Sequence, residues 1–272
     1  MQQTNRSRHR HITSFQVISL GFLSVILLGS LLLMLPIATK SGQCTSFLDA
    51  LFTATSAVCV TGLVIKDTAT YWSLFGQGVI LLLIQIGGMG IITIAIAIAV
   101  VSGRKIGLMQ RSTMQEAISA PTVGGIVRRT QFIIRTTILI EIIGAVLLAP
   151  VFCRDFGFWK GIWYSLFHSI SAFCNAGFDL IGIRTPFSSL TSYSVQPIVN
   201  LVIMMLIIAG GIGFLTWEDI KNRKWNYKKY RMQSKVIFMV TGILIFLPAL
   251  YFFYFEFSNV PLTERVWVSL FQ

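Results

Sequence analysis

The chain has 272 residues, of which 54% are hydrophobic and only 12% charged, and its mean hydropathy is +0.75. A water-soluble domain carries about twice that share of charge, so the composition excludes one and points to a chain that crosses a membrane several times. The net charge of +12 does not mark a nucleic-acid binder, because the cations fall in blocks between apolar runs.

Residues 1–13 form a basic, polar leader with Arg6, Arg8 and Arg10. No cleavable signal follows, since the first apolar run is too long and lacks a small-residue cleavage site. Residues 15–38 are long enough to span about 30 Å of hydrocarbon as a helix, with Pro36 at the terminus. Thr45 is expected to cap a short helix over 47–57, and Asp49 sits in its opening turns, where a carboxylate suits the helix dipole. That helix is too brief to cross a bilayer and runs into a polar break, Ser56-Ala57-Val58-Cys59-Val60-Thr61-Gly62-Leu63. Residues 72–101 then return as a long apolar helix, with Tyr71 and Trp72 as interfacial anchors.

Residues 102–130 are polar and basic, broken by Pro121 and Gly124-Gly125, with an amphipathic helix expected around 109–118. A second span over 131–152, ended by Pro150, leads to a second short helix over 161–172 and an extended stretch over 174–179. An outer loop over 186–193 precedes a second returning helix over 195–216 and a basic segment over 217–235. Residues 236–255 span once more, and 256–261 lead into a third short helix.

The chain repeats itself. Leu51-Phe52 and the break at 56–63 align with Leu166-Phe167 and Ser171-Ala172-Phe173-Cys174-Asn175-Ala176-Gly177-Phe178 at a constant offset of 115 (177 − 62). The returning helices carry Gln85-Ile86-Gly87-Gly88-Met89-Gly90 and Ile208-Ala209-Gly210-Gly211-Ile212-Gly213, offset by 123 (210 − 87). Trp267-Val268-Ser269-Leu270-Phe271-Gln272 matches Trp163-Tyr164-Ser165-Leu166-Phe167-His168. The expected organisation is a leader (1–13), a first repeat (14–102), a linker (103–130), a second repeat (131–216), a linker (217–235) and a partial third repeat (236–272). Each complete repeat holds two full spans, so successive repeats share one orientation, unlike inverted transporter repeats.

Sixteen of the twenty-two cations lie in the leader, in Arg104 to Arg135 and in Lys221 to Lys235. By the positive-inside rule the N-terminus and both linkers are expected in the cytoplasm, and the short helices enter the membrane from outside. A short helix followed by small residues and a glycine reads as a pore loop, where main-chain carbonyls replace the hydration shell of a cation.

The motifs at 56–63, 171–179 and 85–90 resemble the Trk/Ktr/HKT superfamily of potassium transporters, most closely the membrane subunit of the bacterial Ktr system. The resemblance covers nearly the whole chain. It implies an all-α multi-spanning protein of the inner membrane, built from repeated M1–pore helix–M2 units of the potassium-channel-like type, four around one ion path. Its selectivity filter would be lined here by Val58, Cys59, Val60, Thr61 and Gly62 and by Phe173, Cys174, Asn175, Ala176 and Gly177. A glycine at the first filter goes with potassium rather than sodium in this superfamily, with Na+ as a possible coupling ion. The resemblance also implies a homodimer, surrounded by membrane lipids, on a cytosolic ring of RCK-type nucleotide-binding regulatory subunits. Only two complete filters are present and the family's gating loop falls beyond this chain. The expectation is therefore a piece of a longer protein, the rival being several chains that complete the ring together. A non-conducting fragment and a secondary transporter of another solute stay open.

Outside the filters, Asp67 and Asp179 follow them on the outer side, where they raise local cation concentration at the mouth or bind backbone that shapes the filter. Glu141 is the one acid deep within a span, a candidate for a transport role or for pairing with a polar neighbour. His168 reads as a hydrogen-bonding residue of the second short helix. The glycine clusters lie inside apolar helices, which excludes a phosphate loop and suggests close helix packing. Cysteines 44, 59, 153 and 174 have no metal-site spacing, and no nucleophile–base constellation points to an enzyme.

Overall fold

The computed structural model describes residues 14–90, 93, 94, 115, 125–183, 185–224 and 226–271. The leader, the amphipathic stretch expected around 109–118, the far end of the first returning helix and Arg184 lie outside the described residues. Among the described residues the protein is all-helical, with no strand beyond one isolated bridge between Thr39 and Trp72.

The first three helices form one packed group. α1 (Ser14–Met34) is apolar on every side, as suits a helix facing lipid, and ends at a single 3-10 turn, Pro36–Ala38. α2 (Phe47–Val58) is capped by Ser46, whose Oγ accepts from the Asp49 N–H at 3.2 Å. Thr45, expected as the cap, instead meets the Tyr71 hydroxyl at 3.1 Å. α2 buries Ala50, Thr53, Ala54, Ala57 and Val58, a stripe of small residues at helical spacing that lets α1 and α3 (Leu74–Met89) approach. Trp72 is not an interfacial anchor. It is fully buried, edge-on to Tyr71 at 5.0 Å, because the chain folds it beneath the turn that starts α3.

A second group of three helices follows. α4 (Ile126–Phe156), α5 (Phe158–Phe173) and α6 (Pro197–Gly211) pack on one another, and α3 touches α5 across the two groups. α4 does not stop at Pro150 but runs through it to Phe156. A single residue, Gly157 at φ 83°, turns the chain from α4 into α5. Phe152, Tyr193 and His168 form an aromatic cluster inside this corner, with Phe152 5.4 Å from Tyr193 and 5.1 Å from His168.

The second returning helix is broken rather than continuous. Gly213, at φ 79°, separates α6 from α7 (Phe214–Arg223), which turns away by 95°. Gly90 takes the same φ, 79°, where α3 ends. α8 (Met232–Tyr251) carries Pro248 inside it, continues as a π-helical turn (Phe252–Glu256), and is followed by α9 (Leu262–Phe271), which reaches back to α6. α1, α4 and α8 with its π turn are long and apolar enough to cross a membrane, and the bent α6–α7 pair is a fourth candidate. α3, at 16 residues, covers only about 24 Å by itself.

Ion pairs clamp the bent end of α7. Glu218 meets Arg129 of α4 at 3.2 Å and Arg231, just before α8, at 3.0 Å. Asp219 accepts from the Arg231 N–H at 3.0 Å and the Ser234 hydroxyl at 2.7 Å, with its carboxylate 2% exposed. Asp219→Ala leaves these donors buried without an acceptor and should lower stability by about 2–4 kcal/mol, read as a fall in melting temperature in detergent. Asp219→Asn, which keeps one acceptor oxygen, should lose less.

Candidate functional site

Each short helix ends the same way. At the end of α2 the N–H groups of Val60 and Thr61 donate to Ala57 O at 3.3 Å and Ser56 O at 2.9 Å. At the end of α5 those of Asn175 and Ala176 donate to Ala172 O at 3.0 Å and Ser171 O at 2.7 Å. This pair of bonds is the Schellman closure, which requires a left-handed residue. Val60 and Asn175 supply it, both at φ 57°. Asparagine tolerates that conformation, but a β-branched valine is strained there by about 1–3 kcal/mol, so the surrounding packing must hold Val60 in place. Two residues on, Gly62 and Gly177 are again left-handed, at φ 77° and 72°.

The two turns touch. A Cβ at Gly62 would lie 2.7 Å from Ala176 O, and one at Gly177 would lie 3.3 Å from Gly62 Cα. Two polypeptide turns that share no sequence neighbourhood therefore meet backbone to backbone. Val58, Phe173, Cys174 and Ala176 are buried, Val60 and Gly62 half-buried, and Cys59, Thr61, Asn175 and Gly177 exposed. Neither turn carries a charged side chain. What it offers an ion is neutral carbonyl oxygen at the partially negative end of a helix.

The glycine clusters turn out to serve these turns. A Cβ at Gly87 would overlap the Val58 carbonyl oxygen, and one at Gly210 would overlap that of Phe173. This is the expected close helix packing in a particular form: each returning helix presses a glycine onto the last carbonyl of its own short helix. Gly88 reaches across to the second turn, where its Cβ would lie 2.5 Å from Cys174 Sγ. Gly87 and Gly210 join the site, and their signal was the Gly-Gly-x-Gly repeated after each short helix.

Side chains brace the turns from behind. The Thr61 hydroxyl donates to Ser56 Oγ at 2.9 Å, and the Ser171 hydroxyl to Phe178 O at 2.6 Å. His168 donates from Nδ1 to Tyr164 O at 2.7 Å and accepts at Nε2 from the Leu180 N–H at 3.3 Å, which fixes its tautomer. Asp179 accepts from the Ile181 N–H at 2.9 Å. Asp67 is buried, accepting from the Thr70 N–H at 2.8 Å and, across the two groups, from the Phe187 N–H at 3.0 Å. Both acids thus bind backbone beside the turns.

Glu141 also joins the groups. Buried in α4, it accepts twice from Gln85 Nε2 of α3, at 2.9 and 3.1 Å, while the Ser169 hydroxyl of α5 donates to its main-chain oxygen at 2.6 Å. Gln85, the first residue of the motif at 85–90, accepts from Cys174 Sγ at 3.9 Å through its own Oε1. At the basic end of the bundle a cavity of about 670 Å³ opens, lined by Phe15, Phe22, both glycine breaks and Thr216.

Gly210→Ala should lower the melting temperature, because a backbone carbonyl must move to admit the methyl group. Gly78→Ala on α3, whose Cβ meets nothing within 4 Å, should instead stabilise by about 0.5–1 kcal/mol through helix propensity. Glu141→Ala should cost about 1–3 kcal/mol by stranding the Gln85 amide, with Glu141→Gln closer to wild type in the same melting assay.

Residues 2–259 match the TrkH family, described as a cation transport protein. The chain is 42% identical to the potassium/sodium uptake protein NtpJ of Enterococcus hirae, over 87% of its own length and 51% of the relative's. It is 42% identical to the Ktr system potassium uptake protein B of Bacillus subtilis, over 94% and 57%. It is 34% identical to the protein of the same name from Vibrio alginolyticus, over 90% and 52%. The chain thus spans about half the length of the curated relatives it matches. With membrane-length apolar helices and a family match across nearly its whole sequence, the chain belongs to the TrkH family of cation transport proteins.

Proposed function

We propose that the protein is part of a potassium uptake transporter, with the turns after α2 and α5 as two segments of its selectivity filter. The observation that carries this reading is the pair of equal helix-end turns meeting at Gly62 and Gly177. The substrate class follows the relatives, which are named for potassium or potassium/sodium uptake. In this reading Cys59 to Gly62 and Cys174 to Gly177 present main-chain oxygens to K+, the Val58 and Phe173 oxygens being packed against Gly87 and Gly210, and no side chain is charged or consumed. Glycine at 62 keeps a side chain out of the space beside Ala176 O, where a bulkier residue would displace the carbonyl ligands.

Each short helix with its flanking spans acts as one M1–pore helix–M2 unit, and a complete path takes four such units. The basic leader and linkers lie on the cytoplasmic face of the plasma membrane, in keeping with their charge. On that face a nucleotide-binding regulatory subunit of RCK type would act on a transporter dimer, as the Ktr resemblance implies. Sodium coupling belongs to the same reading.

The test is rubidium uptake and potassium-limited growth in cells stripped of their own uptake systems. They would express the chain alone, or the chain joined to the C-terminal half of the Bacillus subtilis relative. Uptake above vector in either setting, abolished by Gly62→Asp without loss of membrane insertion, is the expected result. Uptake that survives Gly62→Asp, or none in either setting, would sink the filter assignment.

A further inference from the structure

A second cavity, of about 410 Å³, lies beside the bundle at its basic end, away from the two turns. One wall is a single face of α4: Arg128, Phe132, Arg135 and Leu139 follow one another at helical spacing. Lys221 of α7 forms the other wall, its Nζ held 4.4 Å from the centre of the Phe132 ring. All three cations are exposed, and among the described residues no carboxylate pairs with any of them. Nearby Arg129, Arg223 and Arg231 are engaged by Glu218 and Asp219, so the clamp on α7 consumes the local acids and leaves these three cations facing outward.

Continuing along α4 from Leu139, the same face presents Ile142, Ile143 and Val146, all exposed and apolar. From Arg128 to Leu139 is about 16 Å along the axis, roughly the depth of a headgroup layer plus the first methylenes. Three cations at the interface that pass without a break into a lipid-facing apolar stripe match a molecule with an anionic phosphate at one end and acyl chains at the other. A free phosphate would make no use of the stripe, and an acidic protein surface would not extend along it.

We propose that Arg128, Arg135 and Lys221 form a headgroup site for an anionic phospholipid, with its acyl chain lying along Leu139, Ile142 and Val146. The site docks a lipid against the joint between α4 and the bent helix α7, and so couples lipid charge to a helix that lines the larger cavity.

The purified 272-residue chain in neutral detergent is titrated with phosphatidylglycerol and with phosphatidylcholine, and bound lipid is counted by native mass spectrometry. Phosphatidylglycerol should bind in preference, and R128Q/R135Q/K221Q should weaken it by roughly fivefold per cation removed while leaving phosphatidylcholine unchanged. K228Q/K229Q, which removes cations outside the cavity, should keep the preference, and circular dichroism of both variants should match wild type. Equal binding of the two lipids, or equal loss of preference in both variants, would overturn the site in favour of diffuse charge. Displacement of the lipid by millimolar inorganic phosphate, or by polyglutamate, would overturn it in favour of a free anion or an acidic protein.

Discussion

The last turn of a helix leaves carbonyl groups without an intrahelical partner, and much of this structure answers that constraint. The Schellman bonds after α2 and α5 satisfy part of the final turn and redirect the chain. The carbonyls of Val58 and Phe173 then lie against helix glycines, where any side chain would collide with them. Such a turn is stiff on both sides. That stiffness lets Val60 stay in a conformation that a free peptide would leave.

A rigid turn is of use only if the two turns are held at a fixed spacing, and polar bridges between the groups supply this. At the level of the two turns Gln85 and Glu141 join α3 to α4, while Gly88 lies against Cys174. Farther from the basic end, Trp163 Nε1 donates to Gln77 Oε1 at 2.9 Å and Asp67 takes the Phe187 N–H. In surroundings where apolar surface gains little by meeting apolar surface, such hydrogen bonds and close small-residue packing set the register.

The basic end obeys different physics. There α3 ends at Gly90 and α6 breaks from α7 at Gly213, a cavity opens between these glycines, and ion pairs rather than apolar packing hold α7 across its 95° bend. Acids are few in this chain, and Glu218 and Asp219 are spent on that clamp. The surplus cations are left exposed, three of them along the groove beside α4.

How much of this was legible beforehand follows from how local each feature is. Apolar run length, the 115-residue repeat and the helix-breaking glycines are properties of neighbouring residues, so the sequence by itself determined the helical class, the two short helices and the positions of their terminal turns. Equal sequence positions did not receive equal surroundings: Cys174 is buried beneath Gly88 while Cys59, its counterpart, is exposed. Trp72 looked like an interfacial anchor and is core, and Pro150 looked like a helix end and is not, because packing against α5 and α6 carries α4 onward. Gly87, Gly210 and the Gln85–Glu141 bridge depended on which helix stands beside which. Only the tertiary structure decided those, since a contact between residues 56 apart in the chain leaves no trace in the spacing of either one.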